Sequence, residues 1–197
     1  MQIMSTQIGE FLDALFQKDD LIEIRMLPSG RREWKRASEF DEDFLNQLKH
    51  HNLDGQNIYF GANPRGGRGS GTQDVALCNC LFVDFDNVSI EYARKIVSSG
   101  SLPMPTVEIA SGHGVHFYWR LEEPIEDTEL WSSYMRGLIA VCESDHKIKD
   151  PARIMRLPGF LNVKYEPHTE CKILAIRPGA VYNIEDMPVE ALETIAP

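Results

Sequence analysis

The segment that most constrains this chain is an apolar run that ends in two aspartates, LFVDFDN at residues 81–87. A buried strand fits this run, because side chains alternate between the two faces of a strand. Asp84 and Asp86 then share one face, and the apolar residues that alternate with them face a core. Two such carboxylates repel each other unless a cation lies between them, and hard ions such as Mg²⁺ prefer oxygen ligands. The pattern predicts a divalent metal site, with a strand end that turns into solvent as the alternative.

The remaining pattern mixes helices and strands without strict alternation, which indicates an α/β or α+β class with an antiparallel or mixed sheet. Apolar residues at helical spacing predict helices over residues 6–17, 89–99 and 127–143. A further helix is expected after Ser38, which with Asp41 forms a capping-box pattern. Strands are expected over residues 21–27, 57–62, 75–86, 106–110, 115–121 and 172–176.

A second informative segment, SGHGVHFYW at residues 111–119, joins two of the expected strands. Glycines on both sides of His113 let the backbone approach a ligand closely and present N–H groups, as a phosphate-binding loop must. His116 lies early on the following strand, where it can donate a hydrogen bond to a phosphate oxygen. The alternative is a tight hairpin with an ordinary surface His113 and a hydrogen-bonded core His116.

A third segment, DPARIMRLPGFLNVK at residues 150–164, begins with an aspartate and is otherwise basic. Arg153 and Arg156 can form planar, bidentate contacts with phosphate oxygens, and Lys164 adds a point charge. Asp150 is a candidate third carboxylate for the metal site. The alternative is an Asp150–Arg153 ion pair on a solvated edge, which would stabilise the fold little.

Together the three segments supply the groups that hold a nucleoside triphosphate with metal ions and displace its pyrophosphate. Two ions about 3.5–4 Å apart can contact both the attacking and the leaving oxygen, while Arg and Lys neutralise the triphosphate. We therefore expect Asp84, Asp86 and Asp150 to be catalytic ligands of two Mg²⁺ or Mn²⁺ ions. No side chain is an obvious general base.

The charge of the chain is unevenly distributed. The formal net charge is −10, from 20 Lys and Arg against 30 Asp and Glu, which argues against nonspecific coating of nucleic acid. Residues 147–164 and residues 25–36 nevertheless each contain five basic residues and one acidic residue. A local basic patch of this kind can bind a phosphate chain, and a solvated face is the alternative for residues 25–36.

Composition and cysteine content predict the compartment and the domain organisation. The chain of 197 residues is 43% hydrophobic and 25% charged, as in a globular protein. No apolar run reaches the roughly 18 residues of a membrane helix, and the N-terminus shows no basic stretch followed by an apolar one that would predict export. Four cysteines without framework spacing fit a reducing compartment. We expect a cytoplasmic protein without membrane contact, with a catalytic domain over residues 1–180 and an acidic tail or linker over residues 181–197.

In this combination the chain resembles the archaeo-eukaryotic primase (AEP) superfamily, in particular the primase-polymerase domains of plasmid, phage and CRISPR-associated replication proteins. Three motifs in order carry the resemblance: hydrophobic-Asp-x-Asp at residues 81–86, Ser-Gly-x-Gly-x-His at residues 111–116, and Asp-x-x-Arg-x-x-Arg-Leu-Pro-Gly with Asn-x-Lys at residues 150–164. The segment YFGANPR at residues 59–65 is similar to the one that precedes the first motif in that family. The resemblance covers about residues 57–176.

The resemblance implies an α+β, two-lobed catalytic core. An N-terminal αβ module would pack against a module like an RNA-recognition fold, with the active site in the cleft between them. Metal ligands by motif match are Asp84, Asp86 and Asp150. The nucleotide-binding residues by motif match are Ser111, His113, His116, Arg153, Arg156 and Lys164, with Arg65 near the nucleotide or the template. His113 departs from the Arg often found at its position in relatives.

The function implied is that of a DNA primase or DNA-directed polymerase in the replication of a mobile element. It would transfer nucleotides from NTP or dNTP to a 3′ hydroxyl on a DNA template, with or without a primer and beside a fused or associated helicase. The main alternative is a domain of a replication initiator that binds nucleotide or DNA without turnover.

Two further enzyme classes and a zinc site explain less of the sequence. A replication-initiator nickase requires two histidines around one hydrophobic residue, and the spacing of His113 and His116 is one residue longer. A glycosyltransferase that uses Asp84 and Asp86 leaves residues 150–164 unexplained. A structural zinc ion would need Cys78 or Cys80 to reach Cys142 and His146, and buried thiols are expected instead.

Overall fold

The computed structural model describes residues 2–144 and 146–192. The helices are α1 (Gln2–Leu15), α2 (Glu42–Leu53), α3 (Ile90–Ser99) and α4 (Thr128–Cys142). The strands are β1 (Leu21–Leu27), β2 (Arg31–Arg36), β3 (Asn57–Gly61), β4 (Cys78–Asp86), β5 (Val107–Ala110), β6 (Gly114–Ile125), β7 (Ile154–Arg156), β8 (Leu161–Asn162), β9 (Thr169–Glu170), β10 (Lys172–Ile176) and β11 (Val181–Tyr182). This mixture confirms the expected α+β class.

The strands form two main sheets. The first sheet has the order β2-β1-β3-β7, and all of its pairs are antiparallel. In the second sheet β6 pairs antiparallel with β4 and β5 and parallel with β11, and β10 extends the sheet beyond β5. Strands β8 and β9 form a separate short ribbon. Three of the antiparallel pairs, β1–β2, β5–β6 and β8–β9, join strands that follow each other directly in the chain.

Aromatic side chains join the two sheets. The ring of Tyr118 on β6 lies 6.2 Å from Phe60 of the first sheet and 6.0 Å from Phe82 on β4. Helix α1 covers the same core, where Phe11 contacts Phe60 edge-on at 5.2 Å. Trp131 of α4 packs on Phe82 at 5.6 Å. All of these rings are fully buried. We call this ring cluster the aromatic seam, and its packing fixes the first sheet against β4 and β6.

Local sequence signals explain most helix starts. Ser89 and Asp127 cap α3 and α4 by accepting hydrogen bonds from the first-turn N–H groups. The second helix differs from the prediction, because residues 37–39 form a short 3₁₀ turn and Asp41 caps α2. The Asp41 carboxylate accepts from the Phe44 N–H at 2.8 Å, so the capping residue is three positions later than Ser38.

The segment over residues 181–192, part of the expected acidic tail or linker of residues 181–197, packs against β6 and α4. Strand β11 pairs with β6, and Met187 and Val189 are buried. A Cβ atom on Gly137 of α4 would lie 2.0 Å from the Glu190 carbonyl oxygen, so the glycine permits this close approach. Residues 193–197 of the expected tail lie outside the described residues.

The cysteines are free and buried. Burial raises the pKa of Cys80, Cys142 and Cys171 to about 12, and it raises that of Cys78 further. Within residues 2–144 and 146–192, no group of three or more His, Cys, Asp or Glu side chains could hold a metal ion. The side chain of His146, part of the zinc alternative, lies outside the described residues.

No helix in the described part of the chain is long and apolar enough to span a membrane.

We expect all four thiols to resist modification in the native protein. At pH 8 the folded chain should react with DTNB only as fast as it unfolds, because burial both shields the thiols and keeps them protonated. Unfolding in guanidinium should release four reactive thiols. A Ser29→Cys variant, on an exposed turn, provides the fast-reacting control, and rapid labelling of the unmodified chain would contradict the buried placement.

Candidate active site

A cavity of about 440 Å³ opens where the ends of β4 and β6 meet the β7 edge of the first sheet. Eight of the ten site residues expected from the sequence line it: Asp84, Asp86, Ser111, His113, His116, Arg153, Arg156 and Lys164. Each sequence motif contributes to this lining, so residues up to 80 positions apart meet in one place. The fold therefore brings most of the expected groups together, and two of them, Asp150 and Arg65, lie elsewhere.

The two carboxylates emerge from the end of β4. The residues that precede them on the strand are fully buried, and exposure increases from Asp84 to Asp86. The strand pairing places Asp84 opposite His116 and Asp86 opposite Gly114. Because paired residues share a face of the sheet, Asp84, Asp86 and His116 point into the same cavity.

His116 is a buried neutral imidazole beside the acids. Burial lowers its pKa, and the carboxylate of Asp84 opposes this shift only in part. Its Nε2 lies 3.5 Å from Asp84 Oδ1, and its Nδ1 lies 3.3 Å from the Tyr118 hydroxyl. Burial also raises the pKa of Tyr118, so this hydroxyl stays protonated and can donate to Nδ1. The Nε2–H is then directed toward Asp84 and the cavity.

Glycines shape the loop that carries His113. Gly112 has φ +97°, and a Cβ atom there would lie 2.4 Å from the Thr169 hydroxyl oxygen. A Cβ atom on Gly114 would lie 2.0 Å from the Phe85 carbonyl oxygen. The His113 carbonyl accepts from the Asn87 N–H at 2.7 Å. Both glycines are thus required for close approach of the loop to β4 and to the β8–β9 ribbon.

The cations enter the cavity from β7 and from the segment after β8. The Arg156 guanidinium donates to Asn57 Oδ1 and lies 5.0 Å from the centre of the Tyr59 ring. Lys164 lies 5.0 Å from the centre of the Tyr165 ring, and its hydrogen bond to Tyr165 raises the pKa of its ammonium group. Lys164 therefore stays protonated at neutral pH, and both side chains line the same cavity as the two carboxylates.

Four further polar or aromatic residues line the cavity that were not among the expected site residues: Tyr59, Asn87, Asn162 and Tyr165. Asn162 connects two motifs, because its amide donates to the Ser111 carbonyl at 3.1 Å and its Oδ1 accepts from the Lys164 N–H at 3.2 Å. The Asn-x-Lys spacing marked this position. Nothing in the sequence marked Tyr165, which follows the motif and contacts the His113 ring at 5.2 Å.

Asp150 differs from its expected place among the metal ligands. It is exposed and does not line the cavity. Its Oδ1 accepts hydrogen bonds from the Ala152 N–H at 2.9 Å and from the Thr72 hydroxyl at 3.1 Å. These bonds hold the turn that precedes β7, so the carboxylate supports the segment that carries Arg153 and is not brought to Asp84.

Arg65 also differs from its expected place near the nucleotide. Its side chain is fully buried and reaches Glu23 Oε2 at 3.0 Å, while its Nη2 donates to the Ala152 carbonyl at 2.9 Å. A buried carboxylate requires such a partner, because an unpaired charge in the interior is strongly unfavourable. The glycine-rich segment of residues 63–74 therefore docks through Arg65 on β1 and on the turn before β7.

Replacement of Arg65 tests this structural assignment. Arg65→Met should lower the free energy of unfolding by about 3 kcal/mol, because it leaves Glu23 buried with one partner fewer. Urea denaturation measures the change. Arg68→Met, at an exposed position of the same segment, should change stability by less than about 0.5 kcal/mol. Unchanged stability together with weakened nucleotide binding in Arg65→Met would instead support the expected contact of Arg65 with the nucleotide.

Comparison with known proteins identifies the fold. No family model matches the chain. A curated relative described as a replication protein of Clostridium perfringens is 25% identical over 130 residues, which cover 60% of this chain and 32% of the relative. The matched region thus spans about a third of that protein.

Solved structures resemble most of the chain. The AEP domain of the cyanophage S-2L primase-polymerase has a TM-score of 0.74 at 19% identity, over 91% of this chain and 94% of that domain. Primase RepB′ gives 0.69 at 18% identity, over 89% of this chain and 57% of RepB′. The catalytic domain of RepB′ in complex with initiator DNA gives 0.68 at 18% identity, over 89% and 86%. The chain therefore has the fold of the AEP domain of primase-polymerases, which confirms the resemblance drawn from its three motifs.

Proposed function

We propose that this chain is a nucleotidyltransferase domain of the primase-polymerase class. It would add nucleotides from NTP or dNTP to a 3′ hydroxyl on a DNA template and release pyrophosphate. The observation that carries the proposal is the cavity in which Asp84 and Asp86 lie beside Arg153, Arg156 and Lys164. Carboxylates for a metal ion and cations for a triphosphate are the groups that this reaction needs.

The two carboxylates fit Mg²⁺ or Mn²⁺ that arrives with the nucleotide. Magnesium is usually bound through one or two carboxylates together with substrate phosphates and water, and seldom by a complete protein cage. Asp84 and Asp86 would supply the protein oxygens, and the triphosphate would supply others. When bound, two divalent ions would stabilise the attacking oxygen and the leaving pyrophosphate.

The remaining cavity residues would bind and orient the triphosphate. Arg153, Arg156 and Lys164 would neutralise its negative charge, which increases on the pyrophosphate as it leaves. The Nε2–H of neutral His116 and the loop around His113 would donate hydrogen bonds to phosphate oxygens. Ser111 begins this loop, and the amide of Asn162 holds its carbonyl in place.

Asp150 would act by positioning. Its bonds to Thr72 and Ala152 hold the turn that leads to Arg153, and among the described residues no contact of this carboxylate with the cavity supports direct metal binding.

The replication setting belongs to the proposal as well. The similar replication protein is about three times longer than the matched region, so further domains, among them a helicase, would accompany this one in a complete replication protein. Template and primer DNA would be its macromolecular ligands, as DNA is in the RepB′ complex. The catalytic domain would extend at least through residue 192, because the segment from β11 onward packs on β6 and α4.

Removal of the two carboxylates tests the proposal. Asp84→Asn combined with Asp86→Asn should lower primer extension with Mg²⁺ or Mn²⁺ by about a thousandfold, since metal ions contribute several kcal/mol to such reactions. Extension of a labelled primer and release of pyrophosphate are measured together, with and without EDTA. Asp13→Asn, at an exposed position of α1, is the control.

The same assay separates catalysis from binding without turnover. Extension that is undiminished in the double variant would end the proposal. Metal-dependent nucleotide binding by the wild type without any pyrophosphate release would favour a domain that binds nucleotide or DNA without turnover. Omission of the primer distinguishes de novo priming from extension, and separate NTP and dNTP reactions give the sugar preference.

Asp150→Asn distinguishes a positioning role from metal binding. The amide oxygen of Asn can still accept from Thr72 and Ala152, so extension should fall by less than about tenfold. A loss as large as that of the Asp84 and Asp86 variant would mean that Asp150 reaches the metal ions in the loaded enzyme.

A further inference from the structure

The outer face of the first sheet carries a row of cationic and aromatic side chains. The strand registers pair Arg32 with Arg25, Arg25 with Tyr59, and Tyr59 with Arg156. Directly paired residues lie on one face of a sheet, so these four side chains form a line across all four strands. We call them the outer row. It lies opposite the core face, which carries Ile24 and Phe60.

The outer row is continuous with the candidate active site. Tyr59 and Arg156 line the cavity that contains Asp84 and Asp86. From there the row leads over β1 to Arg32 on β2, whose side chain is 48% exposed. A polymer that enters the cavity could therefore follow the row to the far edge of the sheet without crossing a buried element.

The charge of this face is positive after its ion pairs are counted. Glu23 is fully buried there, and its carboxylate lies 2.6 Å from Arg25, 3.0 Å from Arg65 and 4.0 Å from Arg32. Three guanidinium groups thus share one carboxylate, which leaves an excess of two positive charges. Arg156 at the cavity end adds a further cation, so the face can bind a chain of phosphates.

An aromatic ring accompanies the cations. Trp34 lies two positions beyond Arg32 on β2 and shares its face. Its indole N–H donates to the Gly69 carbonyl at 3.1 Å, which fixes the ring beside the glycine-rich segment while part of it stays exposed. The hydroxyl of Ser70 in that segment donates to Glu23 at 2.9 Å. This bond holds on the sheet the segment to which the indole is hydrogen-bonded. A fixed, partly exposed indole beside guanidinium groups is the arrangement on which unpaired bases stack.

We infer that the outer face of the first sheet, from Trp34 and Arg32 to the cavity, binds the single-stranded template. Phosphates would contact Arg32 and Arg25, and a base would stack on Trp34. An unpaired strand fits better than a duplex, because the aromatic rings require bases with a free face. The inference rests on the proposed function for the identity of the strand as a template, and its own test needs no catalysis.

Direct binding measures the contribution of the row. Anisotropy of labelled oligothymidylate is recorded without metal or nucleotide over a range of salt concentrations. Arg32→Ala should weaken binding about fivefold to tenfold and reduce the slope of log affinity against log salt by about 0.7. The matched control is Arg31→Ala, which removes the same charge from the opposite face of β2, where Arg31 pairs with Glu33. This control should change affinity by less than about twofold.

Tryptophan fluorescence reports the stacking contact directly. The chain contains three tryptophans, and Trp119 and Trp131 are fully buried, so quenching on addition of the strand should come from Trp34. Trp34→Phe should abolish the quenching and retain most of the affinity, whereas Trp34→Leu should weaken binding about fivefold to a hundredfold. Thermal melting of each variant establishes that it is folded.

The inference is overturned if Arg31→Ala weakens binding as much as Arg32→Ala, if quenching persists in Trp34→Phe, or if a duplex of the same length competes as well as the single strand. Its failure is separable from failure of the proposed function. Primer extension by the wild type, together with normal strand binding by Arg32→Ala, would support the proposed function and contradict the inferred binding surface. Strand binding with the expected quenching and salt dependence, but without any primer extension, would support the binding surface and contradict the proposed function.

Discussion

The antiparallel pairing of β4 with β6 determines where the two cavity carboxylates and His116 lie. Its register sets Phe82 against Tyr118 in the aromatic seam and, two residues on, Asp84 against His116 in the cavity. A slip by one residue would turn the carboxylates into the core and Val83 and Phe85 into the cavity. Gly114 resists such a slip, because only a residue without a side chain fits against the Phe85 carbonyl.

Buried asparagines fix the positions of the segments around β7 and β8, which have little regular structure. Asn57 accepts hydrogen bonds from Arg156 and from the Val163 N–H, and Asn52 bonds both the N–H and the carbonyl of Leu161. A buried amide is unfavourable unless its donors and acceptors are paired. Each asparagine therefore fixes a chain segment, and together they hold the cations of residues 153–164 opposite the carboxylates although β7 and β8 are very short.

The sequence predicts the side-chain positions that depend on local patterns. It does not predict those that depend on contacts between residues far apart in the chain. Alternation along 81–87 predicts that Asp84 and Asp86 share a face, and the glycines around His113 predict a close loop. Arg65 is different, because its partner Glu23 lies 42 positions earlier, and no local pattern announces a buried ion pair. Asp150 stands in the expected motif, yet its hydrogen bond to Thr72 depends on a loop whose path the sequence does not specify.

An acidic protein can present a site for a polyanion because electrostatic interactions are local. At physiological salt, exposed charges more than about 8 Å apart are largely screened, so the net charge of −10 matters less at the cavity than the groups that line it. Those groups include two carboxylates, three basic side chains and an imidazole whose pKa is lowered by burial. A purely anionic ligand would be repelled by the carboxylates and a bare metal ion by the cations. The lining is complementary to a ligand that carries both signs, and a metal-bound nucleoside triphosphate is such a ligand.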